Sequence, residues 1–167
     1  MDGQTAQRDN RRMFEVACAA APADLEQARI LFREYAQLVD APCCFATFSG
    51  EVAGLPGEYA QPAGRLFLAR NAGQAAGCVA MRRLDARSGE MKRLYVREAF
   101  RGDGLGRTLS GLVIAAARDQ RYERLMLDTL PKMHEAIALY RSLGFRETGP
   151  YSAEPTPGAL FFELRLS

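Results

Sequence analysis

Apolar side chains recur along this chain at two spacings, every second residue and every third or fourth, and the alternation between them sketches the fold. Residues 13–19 form a short apolar stretch that reads as a first strand. Pro22 and Asp24 then open a helix, proline being tolerated in a first turn. Ala28, Leu31, Phe32, Tyr35 and Val39 recur along it at helical spacing until Pro42 ends it. Residues 45–53 predict a second, shorter helix, broken at Leu55-Pro56-Gly57. Two β-like runs, 65–70 and 76–84, are joined by a hairpin turn at Asn71-Ala72-Gly73. Ser88-Gly89 predicts another turn before a third run, 90–96. A helix starting near Gly104 carries Leu105, Leu109, Leu112, Val113 and Ala116 on one face. Residues 125–129 read as a buried strand, and Pro131 as the opening of a helix whose face is Met133, Ala136, Ile137 and Tyr140. Gly144 is placed to cap that helix. Residues 145–151 and 159–166 close the chain as a hairpin with a long, proline-containing connection. The predicted order is β-α-α-β-β-β-α-β-α-β-β, a mixed α/β (α+β) chain with one domain over 13–167 behind a disordered lead-in, 1–12.

Composition narrows the reading. With 167 residues, 48% hydrophobic and 25% charged, the chain suits a single globular core. Its formal charge of +2, from 22 basic and 20 acidic side chains, gives no argument for nucleic acid or an anionic membrane surface. No apolar run approaches the roughly 18 residues that a membrane span needs. The four cysteines, Cys18, Cys43, Cys44 and Cys78, include no C-x-x-C pair and lie far from the single His134, so neither a disulfide framework nor a metal site is expected. Reduced thiols fit a cytoplasmic protein.

The segment richest in chemistry is Arg101-Gly102-Asp103-Gly104-Leu105-Gly106-Arg107-Thr108, between a strand and an amphipathic helix. Glycine at every second position lets the backbone turn tightly and bring its N–H groups to a ligand. The helix start adds unpaired donors and partial positive charge, and two arginines add full charges. These are the parts of a diphosphate cradle. It is not a P-loop, having no Gly-Lys-Ser/Thr, and it fails G-x-G-x-x-G, because Arg107 and Leu109 stand where the last glycine is required. A glycine-rich turn without a ligand is the plain alternative.

On these residues the chain resembles the GNAT acetyltransferase superfamily, whose coenzyme loop reads Arg/Gln-x-x-Gly-x-Gly/Ala; Arg101, Gly104 and Gly106 match it in order. Glu90-Met91-Lys92-Arg93-Leu94-Tyr95-Val96 looks like the family's central strand, and residues 136–145 like its late helix and following strand. The specific likeness runs from Glu90 to Tyr151; the first half agrees in pattern alone. The resemblance implies a mixed central sheet splayed between its fourth and fifth strands, helices on both faces, and acetyl-CoA wedged into the gap. Leu94, Tyr95 and Val96 would meet the pantetheine arm and acetyl group. Arg101, Gly102, Asp103, Gly104, Leu105, Gly106, Arg107 and Thr108 would hold the pyrophosphate. Where family members often carry asparagine, seven residues before the helix tyrosine, this chain has Met133.

Acetyl transfer from a thioester to an amine needs a base for the amine, a donor for the oxyanion and a proton for the leaving thiolate. The resemblance points to Glu90 for the first task. Strict alternation would put Glu90, Lys92, Leu94 and Val96 on one face, and the Lys92 ammonium would weaken Glu90 as a base. An ion-paired edge glutamate is the other reading. Tyr140 is the candidate for the leaving group; periodicity alone makes it a core tyrosine, and the resemblance makes it a coenzyme-site donor. The Val96 amide is the implied oxyanion donor. His134 reads as a surface side chain, and Tyr151, Pro155, Thr156 and residues 45–59 could line an acceptor pocket. The expected activity is acetyl transfer from acetyl-CoA, without a metal, to a small or amino-acid-like amine. The alternatives are a non-catalytic acyl-CoA-binding sensor of the same fold, or another nucleotide-using enzyme sharing the loop. The closing hairpin would leave a sheet edge on which a homodimer could form.

Overall fold

A computed structural model describes residues 12–40 and 47–166. The predicted lead-in up to residue 11, and Cys43, Cys44 and Phe45, lie outside the described residues. The elements are β1 (Glu15–Cys18), α1 (Pro22–Val39), α2 (Phe48–Ala53), β2 (Arg65–Asn71), β3 (Gln74–Arg83), β4 (Ser88–Val96), α3 (Leu105–Asp119), β5 (Arg124–Thr129), α4 (His134–Ser142), β6 (Arg146–Thr148) and β7 (Leu160–Arg165), in the order that the hydrophobic pattern predicts. They build one seven-stranded sheet, ordered β1-β2-β3-β4-β5-β7-β6. Only β4 and β5 run parallel; the other pairs are antiparallel.

Two apolar layers cover the sheet. On one face α1 and the segment after it bury Ala28, Leu31, Phe32, Val52, Leu55 and Tyr59 against Leu66, Leu68, Cys78 and Ala80. On the other, α3 and α4 bury Leu105, Leu109, Val113, Ile137 and Tyr140 against Val79, Met81, Met91, Leu125, Leu127 and Phe162. At roughly 1.5–3 kcal/mol for each fully buried large aliphatic side chain, these layers are the main favourable term in folding. Among the described residues no helix is long and apolar enough to cross a membrane.

The β2–β3 turn has Ala72 and Gly73 both at positive φ (48° and 80°), the backbone of a two-residue hairpin whose twist matches its strands. Ser88-Gly89 is not the predicted turn. The chain reverses at 84–87, where the Asp85 carboxylate accepts the Arg87 N–H at 2.8 Å, and β4 already begins at Ser88. Gly89 serves close packing instead: a Cβ there would lie 2.9 Å from the Tyr122 ring. Likewise α4 begins at His134, three residues after Pro131, because Met133 has a non-helical ψ of 60°.

A bulge in β4 decides what the site looks like. Cys78 pairs with Tyr95 and Ala80 with Lys92, so Val79 stands opposite two residues, Arg93 and Leu94. Arg93 takes the left-handed conformation, φ 60°, as one residue of a bulge often does. Alternation therefore changes phase within the strand. Glu90 and Lys92, paired with Arg82 and Ala80, share the α1 layer, whereas Leu94 and Val96 pack against the α3 layer. The expectation that all four share a face is corrected by that one extra residue.

The sheet parts just before the bulge. β4 and β5 pair only at Ser88–Arg124, Gly89–Leu125 and Glu90–Met126. The edge of β4 from Met91 onward that would have met β5 has no strand partner, while β5 stays paired with β7 to Thr129. Gly77 fixes the other side of β4: a Cβ there would lie 2.6 Å from the Tyr95 carbonyl oxygen. Gly77→Ala is expected to lose about 1–3 kcal/mol through that overlap, whereas Gly111→Ala, in open space on the exposed face of α3, should gain up to about 1 kcal/mol. Urea denaturation of both variants checks the pair, and equal effects would contradict it.

Candidate active site

The parted strands open a cavity of about 700 Å³ that runs to the start of α3. Its wall includes Leu94, Tyr95, Val96, Arg101, Gly102, Gly104, Leu105, Gly106 and Arg107. Gly102 and Gly104 have φ of 87° and 81°, a conformation that side-chain-bearing residues rarely adopt. Gly104 is the residue before the first turn of α3, and no side chain caps that turn. Its missing Cβ would meet open space, as would that of Gly102. The loop thus presents backbone donors and a helix dipole to an unobstructed volume, which suits a diphosphate. Arg101 donates from Nε to the Val96 carbonyl at 2.9 Å, and Arg107 from a terminal nitrogen to Ser142 Oγ at 2.6 Å. Both arginines remain exposed and available to an anion.

The opposite wall was not read from the sequence. Phe100, Lys132, Met133, His134, Glu135, Ala136 and Leu139 line the cavity, with Leu38 from the end of α1. The available signal was the crossing itself: the segment after β5 must cover the C-terminal end of the gap that β5 borders. Met133 precedes α4 without capping it. Of the predicted loop residues, Asp103 and Thr108 lie outside the lining. Asp103 turns to Arg12, at 3.8 Å, and Thr108 Oγ1 donates to the Gly104 carbonyl at 3.2 Å.

Glu90 sits behind the cavity, on the α1 face of the sheet, and only 3% exposed. Arg82 Nε donates to its Oε1 at 2.7 Å, the Tyr151 hydroxyl donates to its Oε2 at 2.6 Å, and Lys92 Nζ lies 3.7 Å away. Burial pushes its pKa up, but the charges of Lys92 and Arg82 and the Tyr151 hydrogen bond outweigh this and hold it below its ordinary value. Free of substrate, Glu90 is therefore an anchored carboxylate and a weak base. Arg82 continues the network to Glu58 at 2.8 Å.

Tyr140 lies within the α3–α4 layer, its ring tilted against Phe145 (5.8 Å between centroids) and Phe162 (6.4 Å). The end of α4 sets its position. Phe145 N–H donates to the Tyr140 carbonyl and Gly144 N–H to that of Arg141, both at 3.1 Å, with Gly144 at φ 97°. This is a Schellman closure with its hydrophobic contact, and Gly144 caps as the sequence predicts. Burial, then Tyr35 and Asp128, hold the phenol well above its ordinary pKa. Tyr140 is 7% exposed and is not among the residues that line the cavity. Fully protonated, its hydroxyl can donate a hydrogen bond but releases its proton only to a strong base.

The Glu90 network has a pH signature. Between its lowered folded pKa and the ordinary 4.5, the unfolded chain binds the extra proton, so stability falls as pH drops through that window. Glu90→Gln should cost about 1–3 kcal/mol near neutrality by loosening Arg82 and Tyr151, and the gap from wild type should narrow below pH 4.5. Denaturation midpoints from pH 7 to 3 check this; a constant gap would contradict it.

Comparison with known proteins agrees with this geometry. The profile of the Acetyltransferase (GNAT) family matches residues 12–145. An uncharacterized N-acetyltransferase of Schizosaccharomyces pombe is 34% identical over 156 residues, spanning 92% of this chain and 96% of that one. The N-acetylaspartate synthetase of Danio rerio is 33% identical over 156 residues, 88% of this chain but 54% of its own length. A solved structure from Salmonella typhimurium, described as an acetyltransferase with its cofactor acetyl-CoA, superposes with a TM-score of 0.67 at 20% identity, covering 92% and 94% of the two chains.

Proposed function

The chain belongs to the Acetyltransferase (GNAT) family, and from that premise we propose that it moves the acetyl group of acetyl-CoA to the amine of a small, amino-acid-like molecule. The acetyl-CoA-dependent transferase class follows from the family and its relatives. The observation that carries the rest is the parting of β4 from β5 into a cavity that ends at the uncapped start of α3.

That shape sorts the coenzyme by chemistry. The diphosphate fits the glycine loop with Arg101 and Arg107, and the pantetheine arm fits the free edge of β4 beside Leu94 and Val96. The thioester then lies toward the bulge, and Tyr140, in the α3–α4 layer behind the cavity lining, is the candidate donor to it. The acceptor ammonium gives up a proton, its nitrogen bonds to the acetyl carbon, the carbon–sulfur bond breaks, and a second proton from the nitrogen goes to the departing sulfur, so that the products are an amide and the CoA thiol. Hydrogen bonding from the Tyr140 hydroxyl stabilises the departing sulfur, and a backbone N–H such as that of Val96 serves the oxyanion. Glu90 acts as base only if substrate binding displaces an ion-pair partner; as it stands, it orients Tyr151 and Arg82. A small acceptor suits the near-balanced charge and the half-buried polar groups on the far side of the gap. The curated relative that makes N-acetylaspartate supports an amino-acid-like acceptor. The cytoplasm remains our reading of the compartment, supported by the free thiols of Cys18 and Cys78.

Release of free CoA over a panel of amines tests the reading. Wild type should turn over, and Tyr140→Phe should lower kcat by about 10²-fold or more with coenzyme affinity by calorimetry changed little. Tight CoA binding with no turnover on any amine would overturn it.

A further inference from the structure

Two opposite charges stand on the strands that border the gap, with little to satisfy them. The last paired position of the parallel strands is Glu90 with Met126. Two residues further along each strand stand Lys92 and Asp128, which would be neighbours had the pairing continued. Both lie on the α1 face: Lys92 pairs with Ala80 of that layer, and Asp128 alternates with Leu127, which is buried in the other. The parting of the strands separates them, and no ion pair joins them.

Lys92 has only a shared substitute, and Asp128 has none among the described residues. The Lys92 side chain is 17% exposed and makes no hydrogen bond among the described residues. Its nearest carboxylate oxygen, Glu90 Oε1 at 3.7 Å, already accepts from Arg82. Asp128 is half-buried and makes neither a hydrogen bond nor an ion pair among the described residues. Partly buried charges without hydrogen bonds are poorly satisfied, and protein groups left so commonly meet a ligand.

Around them the wall is phenolic. Tyr151 stands edge-on to Phe161, the β7 partner of Asp128, and donates to Glu90. Burial, then the Glu90 and Asp128 carboxylates, hold the Tyr151 phenol above its ordinary pKa, and Asp128 acts on Tyr140 in the same sense. Asp128 thus acts electrostatically on both tyrosines.

We propose, resting on the acetyltransferase reading, that the acceptor is a zwitterionic amino acid held across the parted strands, its carboxylate on Lys92 and its ammonium on Asp128. The pair of charges is matched in sign and number to one such molecule, and the register sets them on the two strands that border the thioester. Asp128 receives the ammonium. One ammonium proton passes to the Asp128 carboxylate and then to solvent, freeing the nitrogen lone pair for attack; the second proton that the nitrogen loses on amide formation goes to the departing sulfur, leaving CoA as the thiol. Lys92 binds and does not exchange protons; it sets specificity.

The test compares kcat/KM for L-amino acids, their carboxamides and the corresponding decarboxylated amines, with calorimetry of the amino acids on protein saturated with CoA. Amino acids should be preferred over their carboxamides by about tenfold to a hundredfold. Lys92→Met should abolish that preference by raising KM for the acids alone, and Lys92→Arg should restore part of it. Asp128→Asn should lower kcat/KM on acids and carboxamides alike, leaving their ratio unchanged. Circular dichroism confirms that the variants fold. Equal or better turnover of carboxylate-free amines would overturn the zwitterion while leaving acetyl transfer standing. Amino-acid binding that depends on Lys92 without any turnover would keep the site and overturn the enzyme. The absence of both amino-acid binding and turnover would overturn both.

Discussion

Three residue pairs hold β4 to β5, and what the protein can do follows from the pairing stopping there. A parallel sheet that stayed zipped would spend its backbone donors and acceptors on itself. Here β4 keeps one edge free beyond Met91 while its other edge remains bound to β3 through Val96. Exposed edges invite mispairing, and the structure answers that hazard by enclosing this one between α3, α4 and the loop at Arg101. The free edge becomes a binding strip because it is covered from both sides.

The arm so freed is held rigid by charge. Arg93 pairs with Glu51 of α2 at 2.9 Å, and Arg97, just past β4, pairs with Glu34 of α1 at 2.7 Å. Tyr95 also donates to Glu34, at 3.1 Å. Burial alone would lower the Arg93 pKa, but Glu51 keeps it raised, and Arg97 raises itself on Glu34. These ties fasten the unpaired half of β4 to the α1 layer, so that the opening does not depend on a bound ligand to prop it apart. Glu34, held below its ordinary pKa by Arg97, keeps that fastening over the neutral range.

Element order, the two helix faces and the glycine loop were legible in the sequence because each rests on local spacing. Gly104 and Gly144 announce conformations that other residues avoid, and both are found at them. The bulge was not legible: Arg93 is an ordinary arginine in sequence, and its left-handed backbone is imposed by the two-against-one fit over Val79. Reading straight alternation through it placed Leu94 with Glu90. Gly89 misled for a related reason, since its lack of a side chain answers Tyr122, more than thirty residues away. The wall from Lys132 to Leu139 was missed because it is set by where a crossover lands and carries no motif of its own. Asp128 drew no notice as one acid in a buried strand; its meaning lies in register with Lys92.

The extra residue in β4 also bears on how such a protein can diverge. Losing one residue between Met91 and Tyr95 would restore even spacing and swap the polar wall for the apolar one, spoiling both halves of the cleft at once. A change of length in that segment therefore disturbs both walls, whereas side chains can be replaced in place. Because the two halves point to opposite layers, replacements at Lys92 leave Leu94 and Val96 undisturbed. Taste for a new acceptor can drift by single steps while the grip on the common donor is inherited intact.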